Sequence, residues 1–281
     1  MQIHPWFLED RISLAPVLGK LVVRSLQRMD VKEAAVPFGA HPQQKALLFW
    51  PARVQDRRRA LVYFIHGGGW QSGNPQLFRF IANFFVDLGF PVLLAGYRLA
   101  PEAIYPTQVD DCQAGLSAGL RVLSRQSIGV DKIILGGQSA GAELSALLVY
   151  DRSRRLPENR LPYAGYFSIS GPISFEDCRQ PDLRKMIAGY MGSDASADWA
   201  PANPINYLRN NETVPVMLIH GDQDPLVDVE NVYTFLKALL RSPSCPVELR
   251  LVPGGHHADL AALFVNDLPV RKHFESWLLS R

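Results

Sequence analysis

Short apolar runs recur along the chain, separated by longer stretches in which apolar positions return every three or four residues. The runs ALLFW (46–50), LVYFI (61–65), PVLLAGY (91–97), KIILGG (132–137), YAGYFSIS (163–170), PVMLIH (215–220) and VELRLV (247–252) predict strands. Segments at roughly 76–88, 107–126, 140–151, 228–241 and 269–280 carry helical spacing. Strand and helix in alternation predict an α/β fold, a mostly parallel sheet with helices on both faces. The first strands lack a helix between them, which suits antiparallel pairing. No internal repeat or low-complexity linker interrupts the pattern, so one domain over 1–281 is expected.

Two segments stand apart as additions over one end, candidates for a cap or lid. In residues 1–35, Leu14, Leu18, Leu21, Val22, Leu26 and Met29 recur at helical spacing, with Lys20, Arg24, Gln27 and Arg28 mostly opposite. A packed or lid helix is expected there in preference to a membrane-surface helix, for which one basic amphipathic segment is a weak signal. Residues of about 171–212 are rich in Pro, Gly, Asp and Ser, and long segments of that kind are usually functional.

Composition narrows the classes. The 281 residues are 47% hydrophobic and 20% charged, enough for a sizeable core. With 29 basic and 27 acidic side chains, nothing points to a nucleic-acid partner, and the cluster RVQDRRRA (53–60) reads as a solvated loop before a strand. Glu9, Asp10 and Arg11 argue against a secretory signal, and no run of about 18 apolar residues predicts a membrane span. Cys112, Cys178 and Cys245 are an odd number without close pairs, which argues for a reducing, cytoplasmic setting. No zinc spacing occurs.

Ligands of such sheets bind beyond the carboxyl ends of the strands. Read in order, the strand ends carry HGGGW, YRLAPE, GQSAG, SGP, HGDQD and PGGHH. GQSAG (137–141) follows a strand and opens a helix, the context of a nucleophile elbow that exposes Ser139. The competing reading of Ser139 is a helix N-cap. A serine hydroxyl needs a base, and the base needs an orienting carboxylate. Asp222, Asp224 and Asp228 all follow a later strand. Asp222 reads as a turn former and Asp228 as a helix N-cap; resemblance to the triad motif favours Asp224, between them, as the orienting acid, with a turn aspartate the competing reading for each. The base lies in PGGHH, where the residues alone do not separate His256 from His257. HGGGW (66–70) fits an oxyanion loop, with Gly67, Gly68 and Ala140 N–H groups as donors, Gly69 supporting the bend and His66 holding the loop. A phosphate loop is excluded because neither G-x-x-x-x-G-K-[ST] nor G-x-G-x-x-G is present.

HGGGW, YRLAPE, GQSAG, HGDQDPLV and PGGHH, in that order over most of residues 45–270, resemble the α/β-hydrolase family, in its hormone-sensitive-lipase-like and bacterial carboxylesterase branch. The resemblance implies the α/β-hydrolase fold with a short N-terminal cap. It places the base at His257 and gives Glu102 of YRLAPE a supporting role near the oxyanion loop. The chain departs from the family's pattern at Gln138, often acidic, and at Ala142, often glycine. SGPISFED (170–177) and NPINYL (203–208) are similar to feruloyl-esterase-like and kynurenine-formamidase-like relatives.

The implied activity is hydrolysis of small or short-chain carboxylic esters through an acyl-enzyme, with no metal or organic cofactor. Amide hydrolysis, and acyl transfer or cyclisation, are alternatives on the same triad, and a silent binding protein is a third. The partner is then a small-molecule ester or amide, and a homodimer is left open. Trp70, Gln138 and His256, with Met186, Tyr190 and Met191, are candidates to line the pocket; for Trp70 and the last three, a place in the core is the alternative.

Overall fold

Strand β3 (Ala60–Ile65) has all six side chains buried, because it lies inside a sheet covered on both faces. Its alternate residues feed two separate core layers. Leu61, Tyr63 and Ile65 join one cluster, and Val62 and Phe64 the other. A computed structural model describes residues 31–53, 57–154, 161–266 and 268–281. Within them the remaining strands are β1 (Val31–Pro37), β2 (Lys45–Pro51), β4 (Val92–Leu94), β5 (Lys132–Gln138), β6 (Tyr163–Ile169), β7 (Val216–Gly221) and β8 (Val247–Val252). The helices are α1 (Arg79–Asp87), α2 (Thr107–Arg125), α3 (Ala140–Tyr150), α4 (Pro181–Met191), α5 (Glu230–Leu239) and α6 (Pro269–Leu279).

The strands form one eight-stranded sheet in the order β1-β2-β4-β3-β5-β6-β7-β8. β2 runs antiparallel to both neighbours, and pairs from β4 onward are parallel. Helices α1 and α6 cover one face through Ile81, Phe84, Phe85, Phe274 and Trp277. Helices α2, α3 and α5 cover the other through Val109, Leu116, Leu144, Leu147, Val232 and Phe235. This is the α/β-hydrolase architecture that the motif order implied.

The chain leaves β3 toward β4 through α1 on one face, and leaves β5 toward β6 through α3 on the other. The paired strands β3 and β5 are therefore a topological switch point, where a crevice opens beyond their carboxyl ends. The glycine-rich turn and the serine turn emerge there side by side.

The seven strand runs and five helical segments expected from periodicity all contain an element. The antiparallel pairing expected between the first two runs does not form: β2 and β3 are not neighbours, and β2 runs antiparallel to β1 and β4 instead. Two elements are additional. β1 is an edge strand with only Val36 buried, so it carries little alternation to read. Residues 31–35, expected within a cap, belong to it. The amphipathic positions from Leu14 to Met29 lie outside the described residues. Helix α4 forms inside 171–212, with Pro181 at its start, Leu183, Ile187 and Tyr190 on its buried face, and left-handed Gly192 at its end.

The YRLAPE segment is held by an ion pair between half-exposed Arg98 and buried Asp111. Asp111 on α2 accepts from Arg98 main-chain N–H at 3.0 Å and from its Nε and Nη2 at 2.8 Å each, while Gln44 Nε2 donates at 2.9 Å. Burial alone would raise the Asp111 carboxyl, but the Arg98 and Gln44 donors hold it below its ordinary value. A depressed folded-state value means stability that is complete above the ordinary carboxylate value of 3.8 and is lost as pH falls through the lower folded value. Asp111→Asn is expected to cost about 2 kcal/mol at neutral pH. It should also flatten the acid limb of stability, as read by urea unfolding from pH 7 down to 3.

Candidate active site

Ser139 occupies the turn between β5 and α3 with φ 52° and ψ −126°, a conformation that non-glycine residues rarely adopt. The turn is anchored by Ser139 N–H donating to Ile169 O at 2.9 Å. Although Ser139 stands at the helix N-cap position, its hydroxyl makes no cap hydrogen bond. It lies instead 3.0 Å from His257 Nε2. Two glycines make the turn feasible. A β-carbon on Gly141 would stand 2.6 Å from His66 O and still closer to Ile65 O, and one on Gly137 would strike the Gly141 backbone at 2.5 Å.

His257 follows β8 and reaches Asp224, on the loop after β7, through Nδ1 at 2.8 Å from Oδ2. A carboxylate only accepts, so Nδ1 carries the proton and Nε2 presents a lone pair to Ser139 in the neutral ring. Asp224 Oδ1 accepts from Leu226 and Val227 N–H, both at 2.9 Å. Burial pushes its carboxyl upward, but the neighbouring His257, His220 and these N–H donors outweigh it and hold Asp224 below the usual range. His220 closes the same loop by donating from Nε2 to Val227 O at 2.8 Å, and burial favours its neutral form. Serine hydroxyl, imidazole and buried carboxylate thus lie in one hydrogen-bonded line, an arrangement able to take a proton from the hydroxyl and return it.

His256 stays outside that line: it is half-buried and offers its main-chain N–H to Asp259 Oδ2 at 3.1 Å. Asp222 shapes the turn by accepting from Gly254 N–H at 2.7 Å. Asp228 is no side-chain cap for α5. Its carboxylate reaches back to Gln180 Nε2 at 2.7 Å and Arg179 N–H at 3.3 Å, because the segment leading into α4 lies against this loop.

The glycine turn passes directly over the serine turn. A β-carbon on Gly67 would be 2.9 Å from Gln138 O and 3.1 Å from Ser139 Cβ. Gly68, at φ 123°, accepts from Gln71 N–H at 3.1 Å and from Ser72 N–H and Oγ at 3.0 Å each. Ala140 opens α3, so helix geometry leaves its N–H without an intrahelical acceptor. His66 is sandwiched between Tyr97 at 4.4 Å and Phe78 at 5.3 Å and donates from Nδ1 to Gly67 O at 2.8 Å. Burial lowers its pKa to about 4, so it acts as a neutral strut.

Several pocket and support expectations are corrected by burial. Trp70 and Tyr190 have no exposed surface; their rings stack at 4.5 Å and 3°, which makes them core residues. Glu102 is exposed, and the YRLAPE segment is fixed by Arg98 and Asp111 instead. The acid beside the glycine turn is Glu143, fully buried on α3, which accepts from Trp70 Nε1 at 2.9 Å. An acid within the apolar stretch AELSALLVY was the signal for it. Gln138 is buried at the end of β5; Met186 and Met191 are half-buried, and Gly69, at φ 60°, faces Met186.

With this geometry in view, comparison with known proteins places the chain. The BD-FAE family model matches residues 48–239, more than half of the sequence. The chain belongs to the BD-FAE family of α/β-hydrolases. This BD-FAE member is 23% identical over 252 residues to esterase LipQ of Mycobacterium tuberculosis, covering 84% of the chain and 59% of LipQ. It is 26% identical over 218 residues to ethyl acetate hydrolase of Pseudomonas putida, covering 70% and 65%. It thus spans less than two thirds of either relative. Esterase B from Lactobacillus rhamnosis shares the fold at a TM-score of 0.75 and 21% identity, over 96% of this chain and 92% of that one. Among the described residues, no helix is long and apolar enough to cross a membrane, and no three His, Cys, Asp or Glu side chains are grouped to hold a metal.

The glycine contacts differ in what can give way. A β-carbon on Gly141 meets backbone oxygens, whereas one on Gly69 meets the end of a methionine side chain at 2.7 Å. Gly141→Ala is therefore expected to cost about 3 kcal/mol or more. Gly69→Ala, paying mainly for its backbone angle, should cost about 1–2 kcal/mol. Denaturant midpoints of the two variants at constant slope check the order.

Proposed function

We propose that the protein is a serine carboxylesterase acting on small or short-chain carboxylic esters. The observation that supports this most directly is the unbroken line from Ser139 Oγ through His257 to Asp224, at 3.0 and 2.8 Å. As Ser139 attacks the ester carbonyl, His257 Nε2 takes its proton, and Asp224 stabilises the imidazolium. The carbonyl oxygen becomes an anion facing the N–H groups of Gly67, Gly68 and Ala140. Collapse of the tetrahedral species breaks the ester C–O bond, and His257 returns the proton to the leaving alcohol. Water then enters, gives a proton to His257 and releases the acid by the same route.

Names borne by the relatives, esterase and ethyl acetate hydrolase, favour ester over amide substrates. Both core layers rest on one sheet, which supports reading the described residues as one domain. All three cysteines are buried and free, in keeping with a reducing, cytoplasmic setting.

Hydrolysis of p-nitrophenyl acetate, butyrate and octanoate tests the proposal. Short-chain turnover is expected, and Ser139→Ala and His257→Ala should each lower kcat roughly 10⁴-fold or more. His256→Ala should keep most activity. A dead His256→Ala beside an active His257→Ala would reverse the assignment of the base, and turnover of amides without esters would reject the ester reading.

A further inference from the structure

Glu143 lies in the first turn of α3, four residues after Ser139, with no exposed surface. Burying a carboxyl group there is costly. Burial drives it well above the usual carboxylate range and so favours its uncharged form. The other residues of α3 are Ala, Gly, Leu, Ser, Val and Tyr, so the helix itself has no need of an acid.

What Glu143 does touch belongs to two other elements. Trp70 Nε1–H donates to Oε2 at 2.9 Å, and the Tyr190 hydroxyl stands 3.4 Å from Oε1. Trp70 directly follows Gly67–Gly69 and is itself held at φ 59°, and its carbonyl accepts from Ala100 N–H at 2.9 Å. Tyr190 belongs to α4, and its ring stacks on the indole. Fixing the Trp70 indole from α3 therefore refers the glycine turn to the same helix whose start carries Ser139. One rigid body sets the position of both the hydroxyl and the donors opposite it.

We propose that Glu143 is a positioning residue of the esterase reaction, holding the Gly67 and Gly68 donors, through Trp70, at the distance from Ser139 that the oxyanion requires. The inference rests on the reading of Ser139 and the glycine turn given above. Donors to an oxyanion act in the transition state, so displacing them lowers kcat and leaves KM nearly unchanged. A residue needed only for folding would instead reduce the number of active molecules and leave each at normal kcat.

The test is kcat and KM for p-nitrophenyl acetate per reactive serine, counted by end-point labelling with a fluorophosphonate. Glu143→Leu is expected to lower kcat about 10²-fold per labelled serine, the effect of roughly 1 Å of misplacement, with KM within about threefold. Glu143→Gln, whose amide accepts from Trp70 and donates to Tyr190, should recover kcat to within about threefold of the original protein. Trp70→Phe keeps the stacked ring and loses the N–H. It should lower kcat about tenfold, and adding Glu143→Leu should cost less than the product of the two single effects. Normal kcat per labelled serine in Glu143→Leu, or a Glu143→Gln as impaired as Glu143→Leu, overturns the proposal. If Glu143→Leu does not fold, Trp70→Phe decides by the same criterion. Ser139→Ala, assayed alongside, separates the two layers. Turnover abolished by it together with normal kcat in Glu143→Leu removes only the positioning role; a protein without ester turnover removes both.

Discussion

The close approach of α3 to the end of β3 is the constraint on which the site depends. Gly141 packs where any β-carbon would strike the carbonyls of Ile65 and His66, and Gly137 where it would strike Gly141. Ile65 ends the strand that leads into the glycine turn, and His66 opens that turn. Two absent side chains thus bring the serine turn and the glycine turn within van der Waals contact, with Gly67 over Gln138 and Ser139. The strained backbone of Ser139 follows from the same crowding, and the tightly packed sheet beneath holds it. A donor pair for an oxyanion needs this proximity before any electrostatic argument applies.

The other half of the site comes from β7 and β8, and the 171–212 segment joins the halves. Asn231 on α5 accepts from Ile173 and Ser174 N–H at 2.7 and 2.9 Å, and Asp228 accepts from Gln180. Further along the same segment, Tyr190 stacks on Trp70 and Met186 faces Gly69. The segment is therefore tied at one end to the loop that carries Asp224 and at the other to the glycine turn. Its composition and length suggested a cap or lid, and its contacts bridge the loop that carries Asp224 and the glycine turn.

The legible part of the sequence was the part with strong periodicity or strong local chemistry. β3, β5 and β7 read as strands because both faces are buried, and Ser139 because its turn demands glycines on both sides. β1 was illegible because an edge strand with one buried residue carries almost no pattern. Helix α4 was obscured by the Pro- and Gly-rich sequence around it, although Leu183, Ile187 and Tyr190 keep helical spacing. Glu102 stands exposed and Trp70 takes its core alternative for a common reason. Sequence shows which residues stand near a motif but not which way they face, and here Trp70 turns into the core while Glu102 turns to solvent. The choice between His256 and His257 is likewise a matter of direction; one ring faces Asp224 and the neighbouring residue uses its backbone instead.

The two departures from the family's pattern gain meaning from their surroundings. Ala142 stands where glycine is frequent, and its methyl lies 2.6 Å from where Gly171 would place a β-carbon. The missing side chain on Gly171 leaves room for the Ala142 methyl between α3 and the loop after β6. Gln138 stands where an acid is frequent, beside Ser139. Its amide brings no charge to that buried position. The acid that α3 does contain, Glu143, lies behind Trp70, where burial favours its uncharged form. Asp224, held below the usual carboxylate range, lies on the far side of His257 from Ser139.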